Sequence, residues 1–165
     1  MDNNTISAAL EEIAILLELK GENPFKARAY STAARTVRSL EEEVESLAKA
    51  GRLKGIPGIG DSIREKVTEL VTQGKLQYLE DLRATFPKGL MAMLEVEGLG
   101  PKKVKLLWDE LKVQTLEDLK KACAEGRIAG LKGFGEKTQH KILESIDKLS
   151  KTRSNTEFLS NMSSL

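Results

Sequence analysis

Apolar residues recur at helical spacing along most of this chain, with polar and charged residues between them. In the first helical segment they fall at Ile6, Leu10, Ile13 and Leu17. This period of about 3.6 residues predicts an amphipathic helix, with Thr5 as its N-cap and Gly21 at its end. No segment shows the sustained two-residue alternation with β-branched residues that is typical of strands. The pattern therefore predicts an all-α fold.

Prolines, glycines and capping residues divide the rest of the chain into further helices. Asn23 followed by Pro24 is typical of a helix start. The helix that follows is expected to bury one face, formed by Phe25, Ala29, Ala33, Val37 and Leu40. Further helices are predicted over residues 41–50, 61–73, 76–85, 90–94, 101–111, 115–125 and 136–149.

A Phe-Pro-Lys-Gly segment at residues 86–89 interrupts the helical pattern. We place a domain boundary there and expect two small helical subdomains, residues 1–86 and 87–151. Residues 152–165 are rich in Ser and Asn and poor in apolar residues, so we expect them to form a flexible tail.

A Gly-apolar-Gly motif occurs three times, each time between two predicted helices. The copies are Gly58-Ile59-Gly60, Gly98-Leu99-Gly100 and Gly133-Phe134-Gly135. Each is followed, seven residues after its second glycine, by an apolar helical residue: Val67, Leu107 and Ile142. Glycine tolerates the positive φ and the close backbone approach of a tight hairpin. The N–H groups of such a turn, with the N-terminus of the next helix, form an anion site sized for a phosphate. Three such sites predict binding to a nucleic-acid backbone.

Charge and composition limit how that binding would work. The net charge is +1 and the isoelectric point is near 7.8, whereas dedicated nucleic-acid-binding domains often exceed a pI of ~9. We therefore expect binding through local hairpins and short basic stretches such as Lys102, Lys103 and Lys105. The single cysteine, Cys123, excludes an intramolecular disulfide and a multi-cysteine zinc site. It lies in a predicted helix and is expected to be a buried thiol.

Nothing in the sequence indicates a membrane protein. No apolar run approaches the ~20 residues of a membrane-spanning helix, and the polar first residues do not resemble a signal peptide. We expect a cytoplasmic monomer without a membrane partner.

All three motifs resemble helix-hairpin-helix motifs. That resemblance implies DNA binding without sequence preference, through backbone amides that contact phosphates, often with a monovalent cation held by hairpin carbonyls. In this sequence a Na⁺ or K⁺ ion would lie at the carbonyls around Ile56 and Gly58, and around Val96 and Gly98.

A broader resemblance covers residues 5–150. The segment Asn-Pro-Phe-Lys-Ala-Arg-Ala-Tyr at 23–30, with residues 53–67 and 74–76, resembles the N-terminal lyase-type domain of the DNA polymerase X family. Residues 90–142 resemble the DNA-binding subdomain that follows it, in the bacterial branch of that family. The resemblance implies a nucleoid-associated protein that binds gapped or nicked DNA, or a 5′-phosphate end, in base-excision-type repair. The implied DNA-binding residues are Lys26, Tyr30, Gly58, Ile59, Gly60, Ser62, Arg64, Gly98, Leu99, Gly100, Lys102, Lys103, Gly133, Phe134, Gly135 and Lys137.

One catalytic activity is also implied. In family members with 5′-deoxyribose-phosphate lyase activity, a lysine six residues past the second glycine forms a Schiff base with the sugar aldehyde. Lys66 occupies that position, while Ser62 replaces a second lysine often found there and Phe25 replaces a histidine. An amine nucleophile must be deprotonated, which requires a pKa below the ordinary lysine value of about 10.4. The alternative is an exposed helical lysine.

Polymerase chemistry has no candidate residues here. The family's palm holds two metals with an Asp-x-Asp motif, which this sequence lacks, and its histidine-rich phosphoesterase domain has no counterpart, since His140 is the single histidine. The chain is either a piece of a longer polymerase or a separate DNA-binding protein. Two further alternatives stay open: a non-catalytic helix-hairpin-helix module that binds DNA or targets a nuclease, and a protein-interaction domain.

Overall fold

The computed structural model describes residues 1–21 and 23–163, with side chains through Lys151. Over these residues the fold is all-α, as predicted, with nine helices and no strand. The helices are α1 (Asn3–Lys20), α2 (Pro24–Ser39), α3 (Val44–Lys49), α4 (Asp61–Gln73), α5 (Gln77–Ala84), α6 (Lys88–Met93), α7 (Pro101–Leu111), α8 (Leu116–Ala124) and α9 (Glu136–Ser163). None of the described helices is both long and apolar enough to cross a membrane.

The chain forms two compact units, Met1–Phe86 and Pro87–Leu165. In the first unit α1 packs along α2 and also against α5, while α3 packs on α4. In the second unit α8 packs against α9 and α6. Each unit has an aliphatic core, because large apolar side chains such as Leu10, Ile13, Leu90 and Leu107 are fully buried.

The N-termini of α1 and α2 are fixed by side-chain caps. Thr5 was predicted to cap α1, but the cap is Asp2, whose carboxylate accepts a hydrogen bond of 2.7 Å from the Thr5 N–H. The prediction was wrong because Thr5 already lies inside the first turn. At α2 the cap is Asn23, as predicted, and its side chain accepts from the Lys26 N–H at 3.2 Å.

The buried face of α2 differs in part from the predicted one: Ala33 and Val37 are buried as predicted, whereas Ala29 is exposed. The buried residues of α2 are Ala27, Tyr30, Ala33, Ala34 and Val37, whereas Phe25 is 74% exposed. Successive helical residues advance by about 100°, so Phe25 and the buried Ala27 lie on opposite sides of the helix. The Phe25 ring instead meets the Arg28 guanidinium, 4.8 Å from the ring centroid.

Asn3 connects α1 to the segment between α2 and α3. Its Oδ1 accepts from the Val44 N–H at 2.9 Å, and its Nδ2 donates to the Glu42 carbonyl at 2.9 Å and the Leu40 carbonyl at 3.4 Å. One side chain thus satisfies three backbone groups at the start of α3, a helix with no cap from its own N-cap residue Glu43.

In the second unit Cys123 is buried on α8, as predicted, and burial raises the pKa of its thiol. Thr115 caps α8 by accepting from the Asp118 N–H at 3.0 Å. Helix α9 continues to Ser163 and not to about residue 149. The side chains of the predicted flexible tail, residues 152–165, and the whole of 164–165 lie outside the described residues, so its flexibility stays a prediction.

Candidate nucleic-acid interface

The three Gly-apolar-Gly segments adopt one backbone geometry. Their first glycines, Gly58, Gly98 and Gly133, have φ values of +92°, +88° and +88°. These values are in the left-handed region that only glycine adopts at low cost. The repeated motif in the sequence is therefore a repeated turn in the structure.

The same hydrogen bonds close each turn. The N–H of the residue between the glycines donates to the carbonyl two residues before the first glycine: Ile59 to Ile56 at 3.2 Å, Leu99 to Val96 at 3.1 Å and Phe134 to Leu131 at 3.1 Å. The second glycine then opens the helix, because its carbonyl accepts the first helical hydrogen bond. These bonds run from Arg64 to Gly60 at 2.8 Å, from Val104 to Gly100 at 3.0 Å and from Gln139 to Gly135 at 2.9 Å.

Helices that follow the first two hairpins start without a side-chain cap. The N-cap residues of α4 and α7 are Gly60 and Gly100, which have no side chain to accept from the first N–H groups. By contrast, α1, α2 and α8 are capped by Asp2, Asn23 and Thr115. The first N–H groups of a helix have no partner within the helix. At α4 and α7 they are thus open to an external acceptor such as a phosphate oxygen.

Buried residues hold each hairpin on its unit. Val67, Leu107 and Ile142, at the shared offset after the hairpins, are all fully buried. Between the glycines, Ile59 and Leu99 are also buried, whereas Phe134 of the third hairpin is only half-buried. Its ring is contacted by Lys103, whose Nζ lies 5.5 Å from the ring centroid. The structure thus brings together predicted DNA-binding residues of the second and third hairpins.

The first hairpin also rests directly on α2. A Cβ atom at Gly58 would collide with Thr36 Oγ1 and approach Thr32 Cγ2 at 3.6 Å. Gly58 is therefore required both by its positive φ and by the close approach of the hairpin to α2. No such neighbour lies within 4 Å of the corresponding position at Gly98 or Gly133.

Beside the contact between Gly58 and α2, a cavity of about 500 Å³ lies between the start of α2 and the start of α4. Its lining includes Lys26, Tyr30, Gly58, Gly60 and Ser62. All five are predicted DNA-binding residues, and residues from two distant sequence segments meet there. The cavity joins one cationic side chain, Lys26, and one carboxylate, Asp61, to the hairpin backbone and the open N-terminus of α4.

Lys66 reaches the margin of this cavity. Its Nζ donates to Ser62 Oγ at 3.1 Å and lies 4.8 Å from the centroid of the Tyr78 ring. The Nζ of Lys26 lies 5.0 Å from the same centroid, and the rings of Tyr30 and Tyr78 stack at 6.1 Å with an interplanar angle of 17°. Sequence reasoning missed Tyr78, which was taken as part of an ordinary helix; the available signal was an aromatic residue in the first turn of α5.

Tyr30 is the buried member of this group, with 1% of its surface exposed. Its hydroxyl has no hydrogen-bond partner among the described residues. Burial, and to a lesser extent Tyr78, raises the pKa of this hydroxyl far above its usual range, so it stays a neutral donor. A buried hydroxyl without a partner costs about 1–3 kcal/mol.

Arg64 does not join Lys66. Its Nη1 pairs with Asp61 Oδ1 at 3.0 Å, and its side chain lines a separate cavity of about 410 Å³ together with Glu65. Glu69 is engaged elsewhere, since its Oε2 accepts from the Gln77 N–H at 2.8 Å. Arg64, which the resemblance implied to bind DNA, and Glu69 thus make their named contacts with residues other than Lys66.

Exposed lysines flank the hairpins of the second unit. Lys102 is exposed in the first turn of α7, and Lys137 is exposed in the first turn of α9. The backbone of the second hairpin is held by Ser145 of α9, whose Oγ accepts from the Glu97 N–H at 2.9 Å. These positions place cationic side chains beside the second and third hairpins.

The predicted cation sites depend on hairpin carbonyls. Those of Ile56 and Val96 each accept one turn hydrogen bond, and a carbonyl oxygen has a second lone pair. A Na⁺ or K⁺ ion at the carbonyls around Ile56 and Gly58, and around Val96 and Gly98, stays a prediction.

Comparison with known proteins matches both units. Residues 1–76 match the family described as Helix-hairpin-helix domain, and residues 90–148 match the family described as SAM-like Helix-hairpin-helix tandem. The chain is 38% identical to the DNA polymerase/3′-5′ exonuclease PolX of Bacillus subtilis (strain 168), over 92% of this chain and 26% of that protein. It is 28% identical to DNA polymerase lambda of Arabidopsis thaliana, over 81% of this chain and 25% of the relative. It is also 28% identical to DNA polymerase lambda of Rattus norvegicus, over 72% of this chain and 20% of the relative. The chain thus spans about a quarter or less of these relatives, and the resemblance predicted from the sequence is confirmed.

Proposed function

Because this chain consists of helix-hairpin-helix domains related to those of the polymerase X family, we propose that it binds the DNA backbone at gaps or nicks, without sequence preference, in base-excision-type repair. The observation that carries the proposal is the cavity where Lys26 and Ser62 meet Gly58 and Gly60, at a helix start with no side-chain cap. Backbone amides, a hydroxyl and an ammonium group are the donors that bind phosphate oxygens.

Phosphate contacts of this kind supply affinity and register but no base readout. The second and third hairpins, with Lys102, Lys103 and Lys137 beside them, would bind further phosphates in the same way. With a net charge of only +1, the affinity depends on these local contacts. The logarithm of the binding constant should therefore fall linearly with the logarithm of salt concentration, with a slope of about −0.9 per neutralised phosphate.

A strand end fits the first cavity better than a continuous strand does. A 5′-terminal phosphate carries more charge than a diester, and Lys26 of the cavity and the nearby Lys66 ammonium are its cationic donors. These two ammonium groups support a preference for a gap that carries a 5′-phosphate at its edge.

Lyase activity is the finer part of the proposal. The neutral amine of Lys66 would attack the C1′ aldehyde of an opened 5′-deoxyribose phosphate, with loss of water, to give a Schiff base. Loss of a proton from C2′ then breaks the C3′–O bond and releases the downstream strand with its 5′-phosphate; water frees the sugar from the lysine. What supports this step is that Lys66 is half-buried and donates to Ser62, which lines the cavity.

A non-catalytic module is the second candidate, and one observation favours it. The Lys66 ammonium donates to Ser62 and faces the Tyr78 ring, which is how a cation held for binding is arranged. In that case Lys66 contacts a phosphate and performs no chemistry.

Anisotropy titrations with fluorescent duplexes test the binding proposal. The duplexes are intact, gapped with a 5′-hydroxyl, and gapped with a 5′-phosphate. We expect the tightest binding to the last, and Lys26→Gln should lower the salt slope by about one. The control is Lys49→Gln, a lysine of the same unit that pairs with Glu45 at 3.4 Å and does not line the cavity. Equal affinity for all three duplexes would contradict the strand-end proposal.

Borohydride trapping on abasic-site DNA tests the lyase. A covalent adduct with the native chain that disappears in Lys66→Ala, and persists in Lys49→Ala, supports the Schiff base. No adduct at protein excess would reject the lyase and leave the binding module.

A further inference from the structure

We infer that the Tyr78 ring is a positioning residue of the first cavity: it holds the ammonium groups of Lys26 and Lys66 together so that both face one phosphate. This inference rests on the proposed binding of a phosphate there. Tyr78 is not among the residues proposed above to contact the DNA.

Two like charges converge on this one ring. The Nζ atoms of Lys26 and Lys66 lie 5.0 and 4.8 Å from the Tyr78 centroid, so their separation cannot exceed the sum of these distances. Both ammonium groups lie within the distance of about 6 Å at which the face of an aromatic ring attracts a cation. The ring thus gives both lysines one shared contact when no anion is bound.

The position of the ring is itself fixed by the core. Tyr78 stacks almost parallel on Tyr30, which is buried. Its neighbours Leu76 and Leu79 are buried as well. The N–H of Gln77, directly before Tyr78, donates to the Glu69 carboxylate of α4 at 2.8 Å. The ring, which belongs to α5, is therefore fixed by contacts with α2 and α4. Those two helices carry Lys26 and Lys66.

The consequence is a preorganised pair of cations. Lysine side chains lose considerable rotamer freedom when they are fixed, and here that loss occurs before a ligand arrives. Lys66 has a second restraint, the bond to Ser62 Oγ. A terminal phosphate that enters the cavity meets two ammonium groups already in place, and affinity rises because less ordering remains.

The first test needs no DNA. Reductive ¹³C-methylation of lysines keeps their charge and gives each a methyl resonance, with Lys26→Arg and Lys66→Arg supplying the assignments. We expect both resonances to be shifted upfield by the ring current in the native chain and in Tyr78→Phe. In Tyr78→Leu they should return to the positions of the other lysines. Unshifted resonances in the native chain, or shifted ones in Tyr78→Leu, would overturn the inference.

The second test measures the consequence. Affinity for a gapped duplex with a 5′-phosphate should fall about tenfold in Tyr78→Leu, because two ring contacts are lost, and stay within about twofold in Tyr78→Phe. The same Tyr78→Leu change in a Lys26→Gln/Lys66→Gln background should have almost no effect, since no ammonium group remains to be positioned. An equal loss in both backgrounds would mean that Tyr78 acts through folding alone, and would refute its positioning role.

The two proposals fail separately. If the native chain shows no preference for a 5′-phosphate, the proposed preference for a strand end is wrong. The methyl resonances then still decide whether Tyr78 holds both ammonium groups. Circular dichroism of Tyr78→Leu confirms that the variant is folded.

Discussion

Replacing Gly58 by alanine separates two reasons for a glycine at the first hairpin. Gly58 and Gly98 have nearly the same φ, +92° and +88°, so alanine is strained at both. At Gly98 a Cβ meets no heavy atom within 4 Å, whereas at Gly58 it collides with Thr36 Oγ1. Gly98→Ala is thus a matched control for the strain, and the difference between the variants measures the close approach of the hairpin to α2.

The expected magnitudes differ accordingly. A non-glycine residue in this region of φ costs about 1–3 kcal/mol, which is the whole expected loss for Gly98→Ala. Forcing an extra methyl against a packed neighbour adds about 1–3 kcal/mol, because Thr36 is β-branched and its two substituents leave few positions free of the collision. Thr36→Ala in the Gly58→Ala background should recover most of the stability lost to the collision and none of the stability lost to the positive φ.

Urea unfolding measures both units in one chain. The single tryptophan, Trp108, lies in the second unit, and both tyrosines lie in the first. Tryptophan fluorescence thus reports Gly98→Ala, and the near-ultraviolet tyrosine signal reports Gly58→Ala. Equal losses for the two glycines, or no recovery with Thr36→Ala, would refute the packing of the hairpin on α2.

Other substitutions test single contacts. Asn3→Ala should lower the stability of the first unit by about 2–3 kcal/mol in urea unfolding, because three backbone groups lose their partner; unchanged stability would contradict this reading. Ser145→Ala should cost about 1–2 kcal/mol in the second unit and weaken DNA binding, because the Glu97 N–H of the hairpin loses its acceptor; unchanged binding would contradict the role in the hairpin. Burial raises the pKa of Cys123 above its unfolded value, so the stabilising neutral thiol is present below pH ~8.5 and lost as pH rises through the folded value. Stability between pH 7 and pH 10 should therefore fall more steeply in the native chain than in Cys123→Ala, and parallel curves would exclude the thiol as the cause.

Local signals were sufficient for much of the helix pattern. Pro101 and Gly74 mark the start of α7 and the end of α4 in the sequence, and the helices begin and end there. These features depend on the backbone of a few neighbouring residues, so a single sequence contains the information. The repeated hairpins were predictable for the same reason.

Features that depend on packing between helices were not predictable in this way. Phe25 was assigned to the core because it falls at helical spacing with Ala33 and Val37, but the close packing of α2 uses Ala27 and Ala34, and Phe25 is exposed. Tyr78 follows the first hairpin by some twenty residues, and only the return of α5 toward α2 brings its ring to Lys26. Neither the residue spacing nor the composition of the sequence predicts that α5 lies close to α2.

The two sides of α4 show where helical periodicity alone would have improved the prediction. Four residues advance about 400° around a helix, so Ser62 and Lys66 share a side, and their hydrogen bond confirms that they do. Arg64 is two residues from each, an advance of about 200°, which turns it to the opposite side of the helix from both. Its partner Asp61, three residues before it, also lines the first cavity. A cation at position 64 therefore contributes to a different surface from one at position 66, even though both follow the same hairpin. Because α4 buries Ile63, Val67 and Leu70 between these sides, the helix cannot rotate to bring Arg64 into the cavity without exposing its core. The cavity can recruit Lys66 and not Arg64, and a phosphate bound at Gly58 and Gly60 is expected to depend on Lys66 alone of the two.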